Sequence, residues 1–243
     1  MRISRLFVDA GLAEGAVLAL PEAAARRLRE VLRVRQGEPL EVFNGTGGAY
    51  AARVLSVSRR EVTVEVGAFD PAERESGLAV TLAQAISRGS HMDYTLQKSV
   101  ELGVHAIVPL FTERSNVRLD GERAASRMQH WRNIIIGACE QCGRNRVPDL
   151  SPPVPLEEWI GRDPAPLRLM LDAAATESLA SVADRPAALT LLAGPEGGLA
   201  PEEKDRARAA GYRAVRLGPR ILRTESAAVA ALAICQHRWG DLR

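Results

Sequence analysis

Two short apolar runs, Ala188 to Ala193 and Tyr212 to Leu217, each end at a glycine-rich bend, Gly194-Pro-Glu-Gly-Gly198 and Gly218-Pro-Arg220. Runs of this length bounded by turn residues read as buried strands, and neither bend can comfortably continue a strand or a helix. The backbone is therefore laid bare at two strand ends, where glycine lets a ligand approach main-chain N–H and C=O groups directly. Each bend leads into a helix. Pro201-Glu-Glu places proline and acids in a first turn, and Thr224-Glu225 opens a small-residue helix, Ser226 to Ile234, able to pack closely against a neighbour. Two such bends can wall one pocket.

Neither bend carries a common nucleotide fingerprint. A phosphate-cradling loop needs Gly-Lys-Ser/Thr after its glycines, and both bends lack it. Gly45-Thr-Gly-Gly48 fails as a dinucleotide motif, because Tyr50 stands where the third glycine belongs and no helix pattern follows; a hairpin turn fits better. Cys139-Glu-Gln-Cys142 has a metal-like spacing, but the only other cysteine is Cys235, and the motif sits near a helix end where a redox pair would want a helix start. Structural thiols are expected. His91, His105, His130 and His237 are scattered singly, which suits ordinary surface or core roles and gives no ligand set.

The chain divides in two. From Ile3 to Gly67, short β-like runs (Arg5 to Val8, Pro39 to Phe43, Tyr50 to Val57, Glu61 to Val66) surround one helix pattern, Glu22 to Leu32, in a barrel-like manner. A polar stretch, residues 71–77, separates this part from Leu78 onward, where strands and helices alternate as in a parallel sheet. There Ser90 or Asp93 is placed to cap a helix running to Leu102, with Gly103 at its end. His105 to Phe111 follows as a strand, Glu122 to Cys142 as a long helix, Ser151 to Pro155 as a stiff crossing, and Leu167 to Leu171 as another buried strand. The length of 243 residues allows two ordinary domains with real cores. The absence of a long apolar stretch or an apolar leader predicts a soluble, non-secreted protein, and three cysteines fit a reducing cytoplasm. A net charge of +2 neither demands nor excludes a nucleic-acid partner.

Local charge is more telling. Arg26, Arg27, Arg29, Arg33 and Arg35 crowd one helix and its exit with Glu30 to offset them, and Arg26, Arg29 and Arg33 are spaced to share a face. Arg114, Arg118, Arg144 and Arg146 form a second set at loop or helix ends. Solvated faces and RNA phosphate contacts both fit such clusters.

The two bends resemble the cofactor motifs of the SPOUT methyltransferases, in particular the RsmE family of 16S rRNA uridine-N3 methyltransferases. Val31-Leu-Arg-Val-Arg-Gln-Gly37, Lys98-Ser-Val-Glu-Leu-Gly-Val104 and Glu140-Gln-Cys-Gly-Arg-Asn-Arg-Val-Pro148 look like that family in the same order, so nearly the whole chain is covered. The sequence departs from the common family pattern at Ser226, where threonine is more usual, and at His91-Met-Asp93, where a charged residue often precedes methionine.

The resemblance implies an α/β knot fold: a deep trefoil knot in a mostly parallel sheet, with a small N-terminal PUA-like β-barrel. It implies an RNA-binding domain at 1–70, a linker at 71–77 and a methyltransferase domain at 78–243. It further implies S-adenosylmethionine bound at Leu171, Gly194, Glu196, Gly197, Leu217, Gly218, Leu222 and Thr224, no metal, no membrane, and a homodimer formed through the knot domain. The partner would be 16S rRNA in the small ribosomal subunit, with Arg26, Arg29, Arg33, Arg144 and Arg146 as RNA contacts. For the chemistry, Arg223 could neutralise a forming uridine anion, and Glu225 or Glu140 could accept its proton; a structural Arg223–Glu225 pair or a Thr224 helix cap is the competing reading. A 2′-O-ribose methyltransferase and a non-catalytic RNA-binding protein are the rival functions.

Overall fold

The computed structural model describes residues 3–115 and 121–243; Arg118 and the first two residues lie outside them. The alternating runs of the first part form strands β1 (Ser4–Phe7), β2 (Val17–Ala19), β3 (Pro39–Phe43), β4 (Ala49–Val57) and β5 (Val62–Asp70). They assemble in the order β1-β3-β4-β5-β2. β3 and β4 pair antiparallel across the glycine turn at 44–48, and β1 joins β3 in parallel. Inward residues such as Leu6, Leu28, Val42, Val54 and Val64 build one apolar core. This unit comprises the chain up to Glu75 together with Cys139–Val147.

The helix expected over Glu22 to Leu32 begins as α1 (Glu22–Arg26) but continues as a π-helical stretch, Arg27–Leu32, ending at Arg33 in the left-handed conformation (φ 51°). The wider turn alters which side chains share a face. Ala25 and Leu28 are buried, whereas Val31 is exposed.

The second unit, Ser76–Ala138 with Pro148–Arg243, holds β6 (Ala79–Ala85), α2 (Gly89–Glu101), β7 (Ala106–Phe111), most of α3 (Gly121–Cys142), β8 (Asp149–Leu150), β9 (Val154–Pro155) and α4 (Leu156–Ile160). β10 (Leu167–Leu171), β11 (Ala188–Ala193), α5 (Pro201–Ala209), β12 (Arg213–Val215) and α6 (Thr224–Trp239) complete it. The sheet runs β12-β10-β11-β6-β7-β8, with β9 also on β7, and every pairing is parallel. Its strands are nearly continuous apolar runs because parallel strands are covered on both faces.

Two helix starts, those of α2 and α6, differ from their local sequence signals, whereas that of α5 follows them. α2 begins at Gly89 with Arg88 at its N-cap, and neither Ser90 nor Asp93 caps it. Instead the carboxylate of Glu196, from the first bend, accepts the Arg88 N–H at 3.0 Å, while Asp93 pairs with His130 at 3.0 Å. α5 starts with Pro201 as expected, and Glu203 accepts the Ala200 N–H at 2.8 Å and the Glu113 N–H at 2.8 Å. α6 has Arg223 at its N-cap without a side-chain cap, so Thr224 is not the cap. Gly103, just past α2, has φ +75° and supplies the left-handed turn a helix end favours.

Candidate active site

β10, β11 and β12 are neighbours in register, with Leu171 beside Val215 and Met170 beside Leu192. Their carboxyl ends therefore come together, and in parallel α/β sheets ligands bind outside such ends. The loops that leave them wall a cavity of about 550 Å³, within the roughly 300–1,000 Å³ usual for small-molecule sites. Leu171, Gly194, Glu196, Gly197, Leu217, Gly218, Leu222 and Thr224 all line it, as do Arg223 and Glu225.

Hydrogen bonds hold the bends in place. Thr224 donates its hydroxyl to the Gly194 carbonyl at 2.7 Å and accepts from Gln84 Nε2 at 3.1 Å. This ties the start of α6 to the first bend and to the end of β6, where Gln84 is fully buried. Arg114 donates to the Gly197 carbonyl at 3.1 Å. At Gly194 a Cβ would lie 3.0 Å from the Leu199 amide nitrogen, so a side chain there would require the backbone at Leu199 to give by a few tenths of an ångström. Gly218 adopts φ +136°, a conformation that L side chains rarely accept, with open space around it.

Several wall residues carried no sequence signal. Asp172, buried at the end of β10, receives Lys204 at 3.0 Å and the Ala174 N–H at 3.1 Å, with Arg208 at 3.5 Å. Burial pushes its carboxyl pKa up, but the Lys204 and Ala174 hydrogen bonds and the two nearby cations outweigh that, leaving it below the ordinary value. His91 lines the cavity from α2, and its Nδ1 lies 2.9 Å from Glu225 Oε1. Glu225 thus pairs with His91 and not, as the competing reading had it, with Arg223, which is exposed. Only the packing of α2 beside α6 brings these two residues together, which their separation in the chain conceals.

The remaining expected residues lie in the first unit. Glu140 is buried, accepts the Phe7 N–H at 3.0 Å and pairs with Arg27. Its carboxylate is committed to holding β1, which its sequence context did not reveal. Arg144 is also turned inward, 4% exposed and bonded through Nε to Glu75 at 3.1 Å, so it is not presented to a phosphate. Arg146 stays exposed beside Glu73 at 3.4 Å. Arg26 and Arg33 are exposed, whereas Arg29 is half-buried and pairs with Glu22 at 2.9 Å; Glu22 therefore joins Glu30 in offsetting this cluster. The three arginines do not present one uniform face, because the π turn intervenes.

Cys139 and Cys235 are buried, and burial pushes each thiol up to about 12; none of the three cysteines is in a disulfide. Among the described residues no cluster of His, Cys, Asp and Glu is arranged to hold a metal, and no helix is long and apolar enough to cross a membrane.

A backbone-lined cavity at the carboxyl ends of a parallel sheet, in a chain with a separate small β unit, defines a class. Residues 74–236 match the family model of an RNA methyltransferase domain, and residues 28–67 that of an RNA methyltransferase PUA domain. A ribosomal RNA small subunit methyltransferase E from Buchnera aphidicola is 32% identical over 99% of this chain and 98% of its own. The crystal structure of the Neisseria gonorrhoeae ribosomal RNA small subunit methyltransferase E bound to S-adenosyl methionine superposes with a TM-score of 0.96, 42% identity and full coverage of both chains. A Legionella pneumophila methyltransferase in complex with SAM matches over both full chains with a TM-score of 0.97 and 41% identity. The chain is an RNA methyltransferase and belongs to the ribosomal RNA small subunit methyltransferase E family.

Proposed function

We propose that this chain methylates N3 of a specific uridine in the 16S rRNA of the small ribosomal subunit, with S-adenosylmethionine as donor held between the two glycine bends. The observation carrying this reading is that every residue expected at the cofactor walls one cavity, in a chain that matches SAM-containing structures over its full length. The lining suits that donor. Leu171, Leu217 and Leu222 offer apolar contact for adenine, while the bends offer bare main-chain groups for its polar atoms.

Bound there, the donor supplies a methyl group on a positively charged sulfur, a strong electrophile. The protein's task lies on the uridine side. Its N3 proton leaves roughly two units above neutral pH, so forming the reactive anion costs about 3 kcal/mol before transfer begins. Arg223, exposed on the cavity wall, neutralises that anion. Glu225, from the first turn of α6, takes the proton, whereas Glu140 is already bonded to Arg27 and the Phe7 N–H. Positioning the uridine in line with the methyl group supplies much of the remaining acceleration.

The finer features of the fold belong to the same proposal: a deep trefoil knot formed by the bend regions, a barrel-like PUA domain at 1–70, a linker at 71–77 and a methyltransferase domain at 78–243. Arg26, Arg33 and Arg146, exposed in the first unit, contact RNA phosphates, with Arg29 beside them. The enzyme works in the cytoplasm as a homodimer through the knot domain, without metal.

The test is mass spectrometry of nucleosides from small subunits lacking this modification, after incubation with the protein and labelled S-adenosylmethionine. Labelled 3-methyluridine is expected. A labelled 2′-O-methyl nucleoside would replace the chemistry and keep the fold.

A further inference from the structure

Glu225 is unusual among the cavity residues. Its side chain is only 13% exposed; Oε1 lies 2.9 Å from His91 Nδ1, yet Oε2 is closed to solvent and has no hydrogen-bond partner. A carboxylate only accepts, so a hydrogen bond across this 2.9 Å contact requires the proton on His91 Nδ1. A buried carboxylate oxygen without a donor is costly, and a catalytic role that brings a donor to it is one of the explanations such a group calls for. Both residues line the cavity, and they come from different elements: His91 from the first turn of α2 and Glu225 from the first turn of α6.

We infer that His91 is a positioning residue for the methyl transfer: its Nδ1–H holds one oxygen of Glu225 so that the second is kept as the acceptor for the uridine N3 proton. This rests on the reading of Glu225 as proton acceptor. The final torsion of a glutamate is soft and nearly two-fold, so an unheld carboxylate would sample many orientations; one oxygen fixed by His91 leaves a single aligned acceptor. The proton balance is simple. The N3–H bond breaks and its proton passes to the free oxygen of Glu225; the N3 electron pair would then form the bond to the methyl carbon as the donor's sulfur–methyl bond breaks, its pair returning to the now neutral sulfur, which leaves as S-adenosylhomocysteine. His91 gives up no proton, and its side chain, 36% exposed, lies on the wetter side of the pair.

The test compares single-turnover rates on small subunits lacking the methyl group, with S-adenosylmethionine affinity measured in parallel. His91→Ala is expected to lower the maximal rate about ten- to hundred-fold, with substrate KM and cofactor affinity within about twofold of wild type. In His91→Asn the amide nitrogen falls where Nδ1 was, and most of the rate should return; in His91→Gln the donor falls one atom further out, and it should not. In a Glu225→Gln background His91→Ala should add no further loss. A wild-type maximal rate in His91→Ala, a loss confined to KM or cofactor affinity, or equal impairment of Asn and Gln would overturn the role of His91. If Glu225→Gln alone turns over normally, Glu225 is not the acceptor and both readings fall; if it is slow while His91→Ala is normal, only the His91 role falls.

Discussion

Gly218 shows how much a single residue decides here. Its φ of +136° is closed to a β-branched side chain, yet nothing lies within 4 Å of where a Cβ would be. In Gly218→Val the fold should survive and the bend should shift, a strain of about 1–3 kcal/mol. Cofactor affinity should fall at least about tenfold by calorimetry; unchanged affinity would show that the bend does not hold the donor. Asp172 offers a second test. Its folded-state pKa lies below the ordinary 3.8, so its ion pairs with Lys204 and Arg208 stabilise the fold in full at pH values where the unfolded carboxyl is also ionised. That contribution declines below the ordinary value and is gone once pH has fallen through the folded-state value. The stability gap between wild type and Asp172→Asn, from denaturant midpoints, should therefore be constant near neutrality and close in acid; a gap that widens in acid would contradict the sign. Gly218 was legible in the sequence because a glycine-proline bend after an apolar run has a local cause. Asp172 was not, because its partners Lys204 and Arg208 come from α5, remote in the chain.

At the scale of elements, the helix starts show the same divide. Pro201 with Glu202 and Glu203 announces α5 from local sequence alone, and the helix begins there. What local sequence does not announce is that the buried Glu203 also accepts the Glu113 N–H beyond β7, fixing two elements with one carboxylate. Glu203→Gln keeps the shape but turns one acceptor into a donor facing an N–H. A loss of about 1–3 kcal/mol is expected in urea unfolding, and a loss under about 0.5 kcal/mol would show that the second bond contributes little. α2 is the converse case. Ser90 and Asp93 are sound local caps, but Glu196 arrives from the first bend to satisfy the Arg88 N–H, and the helix starts earlier. The π-helical turn after α1 is likewise absent from the periodicity, which simply reads helix through Leu32.

At the scale of the whole molecule, the segment Cys139–Val147 joins the first unit although it lies far along the chain. Glu140 holds the Phe7 amide and Arg27, Arg144 holds Glu75, and Asn145 donates to the Ala72 carbonyl at 2.7 Å. A fragment ending at Glu75 loses all of these and leaves Arg5 without Asn145, its acceptor at 2.6 Å. Its thermal transition should be lower and broader than that of the first unit in the intact chain, and a peptide of residues 139–147 added in trans should raise it. A fragment that is equally stable alone would mean the segment is a passenger. By itself the sequence determined most of the longer strands, though not β2, β8 or β9, together with most of the longer helices, the parallel character of the second unit and the two bends, because each rests on a short-range pattern of apolar period, proline and glycine. Only the tertiary structure decided that Cys139–Val147 belongs to the first unit, that Arg144 and Glu140 are spent inside it, and that His91 faces Glu225. Those outcomes depend on which distant groups become neighbours once the chain is packed, and a buried charge takes whichever partner the packing supplies.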